Sequence, residues 1–175
     1  IAMKWGEGNG PFIRPIQWIY CVFGKDIISL NLFGQKASNK TFGHRTLTRG
    51  TTFNGVELTI KEADDFFDVL HTKGHVVIDA SERKKMIQKQ LEKSGKLDPQ
   101  LLNEVTYLAE QPTVLTGVFD EKYLELPEFV LIECMKKHQK YFPVFNQDGQ
   151  LQNHCLIVAD NVTKKNQKQI IKGNE

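Results

Sequence analysis

From Phe12 to Phe33 the sequence FIRPIQWIYCVFGKDIISLNLF carries two apolar runs on either side of Gly24-Lys25-Asp26. Ile16, Trp18, Tyr20 and Val22 alternate with Gln17, Ile19, Cys21 and Phe23. Beyond the turn, Ile28, Leu30 and Leu32 alternate with Ser29, Asn31 and Phe33. A period of two in β-branched and aromatic residues about a Gly-containing turn predicts a β-hairpin. Its first strand is apolar on both faces and is expected to be buried.

The next stretch, GQKASNKTFGHRTLTRGTTFNG at 34–55, loses that period and holds four glycines with many Ser, Thr and Asn. It predicts a loop-rich basic segment, a length of loop that compact domains tolerate mainly where it has a function. Thr59 and Glu62 stand at capping-box spacing before a helix with Phe66, Phe67 and Leu70 inward and Gly74 as its stop. HVVID at 75–79 reads as a short strand. Residues 80–94 read as a polar helix with a narrow stripe at Ile87 and Leu91. Asp98-Pro99 supplies an N-cap and a first-turn proline for a helix running to Glu110, with Leu101, Leu102, Val105 and Leu108 inward. PTVLTGVF at 112–119 is a further strand. Pro127 starts the helix PEFVLIECMKKHQ, whose cationic end suits the negative pole of the helix dipole. YFPVF and HCLIVA read as a hairpin with Asp148-Gly149 at its turn. A lysine-rich tail, TKKNQKQIIKG, closes the chain.

Helices and strands alternate without a regular βαβ repeat, so the class expected is α+β: a mixed or antiparallel sheet with packed helices in a single module over 1–175. The length suits one domain with a real core. At 40% apolar and 25% charged residues the composition is that of an ordinary globular chain, and the formal charge of +2 neither demands nor excludes nucleic acid. Three widely spaced cysteines, Cys21, Cys134 and Cys155, sit among apolar residues and read as buried reduced thiols. No apolar run approaches the roughly 20 residues of a membrane span. The opening IAMKWG and the closing IIKGNE read as the ends of a piece of a longer polypeptide.

Catalytic constellations are weak. His71 and His75 have the HxxxH spacing of a metal pair, but Thr72-Lys73-Gly74 breaks the helix and no third ligand is near, so exposed loop histidines are the better reading. Asp64, Asp65 and Asp68 suit the first half of a helix as dipole-complementary surface residues better than as acid–base groups. Gly6–Gly10 lacks the preceding strand of a nucleotide-binding turn. The basic segments carry more. NKTFGHRTLTR interleaves Lys40, His44, Arg45 and Arg49 with Phe42, and MKKHQKYF does the same with Lys136, Lys137, His138, Lys140 and Tyr141. Cations meet phosphates and aromatic faces stack on unpaired bases, so this mixture suits RNA. Lysines at a helix end followed by core aromatics explain it equally.

MKWGEGNGPFIRPIQWIYCVFG, FGQKASNKTFGHR, LPEFVLIECMKKHQKYFPVF and the closing IIKGNE, in that order and spacing, resemble the beta subunit of bacterial glycyl-tRNA synthetase over nearly the whole chain. The resemblance implies a stretch from the N-terminal half of a large modular chain, with a fold similar to the editing-type module of the phenylalanyl-tRNA synthetase beta chain. It implies membership of a glycine–tRNA ligase whose alpha subunit, a class II core, activates glycine with ATP and Mg. No catalytic residue and no bound cofactor is then expected here. Implied partners are the alpha subunit, in a heterotetramer of two alpha and two beta chains, and tRNA(Gly), with a cytoplasmic location and no membrane. The RNA-facing residues expected are Lys40, His44, Arg45, Lys137, His138, Lys140 and Tyr141. Arg14 is either a further contact or a buried brace for the hairpin. Two alternatives stay open: a scaffold bracing the alpha subunit or other beta modules, and a vestigial hydrolytic editing domain. The latter is little needed, because a pocket for glycine excludes larger amino acids by size.

Overall fold

The computed structural model describes residues 16–48, 54–91 and 97–174; Arg14, Arg49 and Gly6–Gly10 lie outside them. The chain forms two compact units, Ile1–Val76 and Val77–Glu175.

The first unit is built from short strands: β1 (Ile19–Tyr20), β2 (Val22–Phe23), β3 (Asp26–Ile27), β4 (Asn31–Leu32), β5 (Gln35–Ser38), β6 (Lys40–Phe42) and β7 (Glu57–Thr59), followed by α1 (Phe66–Thr72). The predicted hairpin forms about Gly24-Lys25, with Val22 opposite Ile27 and Phe23 opposite Asp26. Gly24 takes the positive φ of 59° that such a two-residue turn requires at its first position. The expectation of a doubly buried strand fails. At Cys21 the run changes partners: β1 pairs in parallel with β5, whereas β2 pairs with β3. Divided between two small ladders, it gains no covering layer on its second face among the described residues, and Phe23 stays 78% exposed.

Part of the segment expected as loop is strand. Phe33 and Gly34, both at positive φ (53° and 74°), make a tight turn that sets β4 against β5. β6 pairs antiparallel with β7. The core of this unit is Leu58, Ile60 and Leu70, with Tyr20, Val56, Phe66, Val69 and Val76 packed against it. The capping box is not formed. Thr59 belongs to β7, and Glu62 precedes a 3-10 turn, Ala63–Asp65, without a side-chain cap. In a seven-residue helix only one stripe is inward, so Leu70 is buried while Phe67, one step round the helix from Phe66, is 64% exposed.

The second unit is a three-layer sandwich. Its sheet has the order β8 (Thr113–Val118), β10 (Leu151–Ala159), β9 (Phe142–Phe145), all antiparallel. One face carries α2 (Ala80–Leu91) and α3 (Pro99–Thr106), with Ile87, Leu91, Leu101, Leu102 and Val105 against Phe142 and Leu156. The other face carries α4 (Glu128–Glu133), continued by a π-helical turn, Cys134–Gln139, with Met135 against Leu151, Cys155 and Ile157. The alternation of β10 divides its side chains between the layers: Leu156 and Val158 go one way, Cys155 and Ile157 the other. α5 (Gln167–Gly173) follows the sheet.

The stripe at Ile87 and Leu91, the Asp98-Pro99 start of α3 and the strand at 113–118 stand where expected. So does the β9–β10 hairpin, with Gly149 at a φ of 79° in its turn. Three expectations are corrected, and the tail gains an element. Residues 75–79 are not a strand: Val76 N donates to Leu70 O and Val77 N to Glu110 O, so neither bond belongs to a ladder. α3 ends at Thr106, where Tyr107 N and Leu108 N tighten to bonds three residues back, and this turns Leu108 outward at 64% exposure. The tail is helical over α5, with Asn166 at its start and no buried residue. Of the cysteines, only Cys155 is buried; Cys21 is half-buried, and Cys134 is exposed at the start of the π turn.

Candidate nucleic-acid interface

The expected residues fall into one group in each unit. In the first, Lys40 is an exposed residue of β6 whose ammonium meets Glu57 of β7 at 2.8 Å. Arg45 is exposed at the start of the turn that follows. His44 is buried at 4% exposure and organises that turn. Its Nδ1 accepts from the backbone N–H of Thr46 and Leu47, each at 3.2 Å, so a neutral ring carries its proton on Nε2. Its own N–H donates to Gly74 O at 2.7 Å, and its carbonyl accepts from Thr48 N and Thr48 Oγ1. Gly74 is needed here for space: a Cβ on it would meet Leu70 O at 2.6 Å. His44 thus presents Arg45 to solvent and is not itself on the surface.

In the second unit the phrase from Met135 to Tyr141 forms the π turn and its exit. Met135 O accepts from the N–H of both Lys140 and Tyr141, and Lys140 closes the turn in the left-handed region at φ 60°, ψ 34°. π turns inserted in α-helices recur at functional sites, since the extra residue re-aims the side chains around it. Here it directs two lysines toward α3. Lys136 Nζ lies 2.6 Å from Asp98 Oδ2, and Lys140 Nζ lies 2.8 Å from Glu104 Oε1. Both carboxylates sit on the opposite helical layer, so the two bridges pass round edge strand β9. Asp98 is also the N-cap of α3, with Oδ1 accepting from Gln100 N and Leu101 N. The Lys136 ammonium first, then the Leu101 N–H, hold its carboxyl below the usual carboxylate range. Lys137 points outward and pairs with Glu133, one turn back on its own helix, and His138 is exposed. Tyr141 is half-buried; burial raises its phenol pKa, and its hydroxyl donates to Asn174 Oδ1.

That last bond joins the phrase to a surface the sequence patterns passed over. Between Asn161 and Asn174 there is no acidic residue, and Lys164, Lys165, Lys168 and Lys172 are all exposed. The signal was available in the unbroken run of lysines and amides, but a polar tail reads the same way whether it is helical or loose. Among the described residues no group of three or more His, Cys, Asp or Glu could hold a metal ion, and His71 and His75 are both exposed. No helix among them is long and apolar enough to cross a membrane.

Comparison with known proteins decides the family. The family profile described as glycyl-tRNA synthetase beta subunit matches residues 1–175. The chain belongs to that family. It is 42% identical over 182 residues to the glycine–tRNA ligase beta subunit of Listeria monocytogenes serotype 4b, covering 100% of this chain and 25% of that protein. The beta subunit of Halothermothrix orenii is 39% identical over 167 residues, covering 92% of this chain and 23% of its own length. That of Moorella thermoacetica is 39% identical over 180 residues, covering 99% and 25%. The chain therefore spans about a quarter of the length of these relatives. Within the family the α+β class holds, as small antiparallel and mixed sheets with packed helices.

Proposed function

We propose that this chain is a non-catalytic, tRNA-facing module of a glycine–tRNA ligase beta subunit. It supports the ATP-dependent attachment of glycine to tRNA(Gly), with adenylation, and the ATP and Mg it uses, belonging to an alpha subunit. The reading agrees with relatives named as beta subunits of that ligase. The observation that carries it is the bond from Tyr141 to Asn174, which ties the Lys137–His138 surface to four exposed lysines in a stretch without acidic residues. Such a surface contacts phosphates without reading sequence. Arg45 and Lys40 supply the corresponding cations of the first unit. Lys140 and His44 serve by holding these surfaces in shape.

The test is binding of tRNA(Gly) and an unrelated tRNA to the full-length beta chain across a salt series. Replacing Lys164, Lys165, Lys168 and Lys172 by Ala is expected to weaken both and to flatten the salt slope by about one unit for each phosphate no longer neutralised. An unchanged slope would refute the assignment.

A second reading, a scaffold that binds protein, is favoured by one observation: every residue from Asp120 to Val130 is exposed, although Tyr123, Leu124, Leu126, Phe129 and Val130 are large and apolar. Tyr123 of this segment and the Tyr141–Asn174 pair line one cavity, so the two readings meet at an edge of the second unit.

A further inference from the structure

Tyr141 and Asn174, joined by their hydrogen bond, form part of the wall of a cavity of about 410 Å³ in the second unit. That volume lies within the range of small-ligand sites, roughly 300–1,000 Å³. Phe119, Tyr123 and Tyr141 give the cavity three aromatic residues, and Gln139 and Asn174 bring two amides to its lining. Asn174 is engaged at both ends of its amide: Oδ1 accepts from the Tyr141 hydroxyl, and Nδ2 donates to Ile170 O at 2.6 Å, so this part of the wall is fixed. Gln139 is exposed, and its amide has no hydrogen-bond partner among the described residues; it offers both a donor and an acceptor. Tyr123 is 46% exposed, with the Lys122 ammonium over one face of its ring, 5.1 Å from the centroid, which leaves the other face.

The charge around it narrows the ligand. Among the described residues no carboxylate lines this cavity. Glu133 and Asp120, next in the chain to lining residues, are met by Lys137 and Lys122. Exposed Glu121 and Glu125 stand two residues either side of Tyr123, and they steer a phosphate backbone to the rest of the lining. There Gly173 and Asn174 end the stretch that carries Lys164, Lys165, Lys168 and Lys172, and Lys137 stands between Cys134 and Gln139. A second cavity, of about 380 Å³, shares Gln139, Tyr141 and Asn174, but Asp160 lies in its lining, which suits a phosphodiester poorly. An apolar protein anchor fills a cavity without calling on a free amide or on lysines. An unpaired base uses both: its faces stack on aromatic rings, its edge takes a donor and an acceptor, and its phosphates meet cations.

We propose that this cavity receives one unpaired base of the bound RNA, with Tyr123 as the stacking ring and Gln139 on the hydrogen-bonding edge of the base. The lysines of 164–172 hold the flanking phosphates. The inference deepens the tRNA-facing reading and rests on it. Base insertion adds a contact that depends on an unpaired nucleotide to a surface that otherwise meets only backbone.

Equilibrium binding of tRNA(Gly) to the purified full-length beta chain across a salt series tests it, with Tyr123→Ala, Tyr123→Phe and Gln139→Ala beside the wild type. Both side chains are exposed, so the substitutions leave the core intact. Tyr123→Ala is expected to weaken binding on the order of tenfold at an unchanged salt slope, because a lost stack removes no phosphate contact. Tyr123→Phe keeps the ring and the wild-type affinity. Gln139→Ala is expected to weaken binding about fivefold, again at constant slope. Ultraviolet irradiation of the complex, read by peptide mass spectrometry, should leave a nucleotide adduct on Tyr123, Cys134 or Tyr141. Wild-type affinity for Tyr123→Ala, an equal loss for Tyr123→Phe, or adducts confined to other residues would each overturn the base site. The tRNA-facing reading would then stand if the four-lysine variant still flattens the salt slope. A flatter slope for Tyr123→Ala would mark a phosphate contact and overturn the stacking role. No salt-dependent binding of tRNA by the wild type would overturn both.

Discussion

Lys136 Nζ stands 2.6 Å from Asp98 Oδ2, and the bond spans the sheet from one helical layer to the other. With Lys140 and Glu104 it makes a pair of bridges past strand β9, whose outer edge would otherwise offer unpaired backbone groups to another strand. Pro143 within β9 removes one donor from the same strand. Two lysines that resemble RNA contacts in sequence are therefore part of the architecture.

Acid should weaken the second unit through Asp98. Its carboxyl is held below its ordinary value, so the folded state binds fewer protons than the unfolded state. The stability it contributes is complete above the unfolded pKa of about 3.9 and is lost as pH falls through the lower folded value. Asp98→Asn keeps an N-cap acceptor and removes the charge. Urea titrations from pH 7 down to pH 3 should show a shallower fall for this variant than for the wild type; parallel curves would show that Asp98 does not supply the linkage.

His44 should matter through folding. Truncation to Ala leaves the N–H groups of Thr46 and Leu47 without their acceptor, at a cost of about 1–3 kcal/mol. Asn can place its Oδ1 where Nδ1 stands, so His44→Asn is expected to recover most of the loss in thermal unfolding. Equal losses for the two variants would contradict the acceptor role.

Lys140 combines a left-handed backbone with a bridge to Glu104. Replacement by Gly removes the bridge and relieves the backbone, whereas Ala removes the bridge alone. Lys140→Gly should therefore be more stable than Lys140→Ala by roughly 1 kcal/mol in chemical denaturation. The reverse order would mean that the turn relaxes out of the left-handed region.

Tyr20 offers a stabilising change. Its ring stacks on Phe66 at 4.6 Å, and among the described residues its buried hydroxyl has no hydrogen-bond partner. Burial, and then Asp65, raise its pKa. Tyr20→Phe keeps the ring and removes the orphan group, so unfolding should be unchanged or shifted toward stability by up to about 1 kcal/mol. A loss above that would reveal a bond made by the hydroxyl in solution.

Much of the fold was legible because local chemistry and tertiary packing agree. Asp98-Pro99 is a helix start in any context, the Ile87–Leu91 stripe can face only a core, and Asp148-Gly149 turns a hairpin on its own. Where a local signal lacked a partner it misled. Thr59 and Glu62 have capping-box spacing, but strand pairing with β6 claims Thr59. Phe23 and Phe129 look like core residues, and both are exposed because no layer among the described residues covers them.

The candidate site divides along the same line. Residue types and spacing alone determined the α+β class and which segments carry cations beside aromatics, and the phrases of the chain carried the family resemblance, since these depend on order along the chain. Which cations remain available was decided only in three dimensions. Asp98 and Glu104 lie 38 and 36 residues before Lys136 and Lys140, and only the wrapping of two helical layers round β9 brings them together. No local pattern encodes a salt bridge of that separation. The same packing joins Tyr141 to Asn174 at the end of the lysine-bearing stretch 164–172 and leaves the apolar residues of 120–130 exposed, because burial and charge pairing belong to the assembled surface and not to any one stretch of chain.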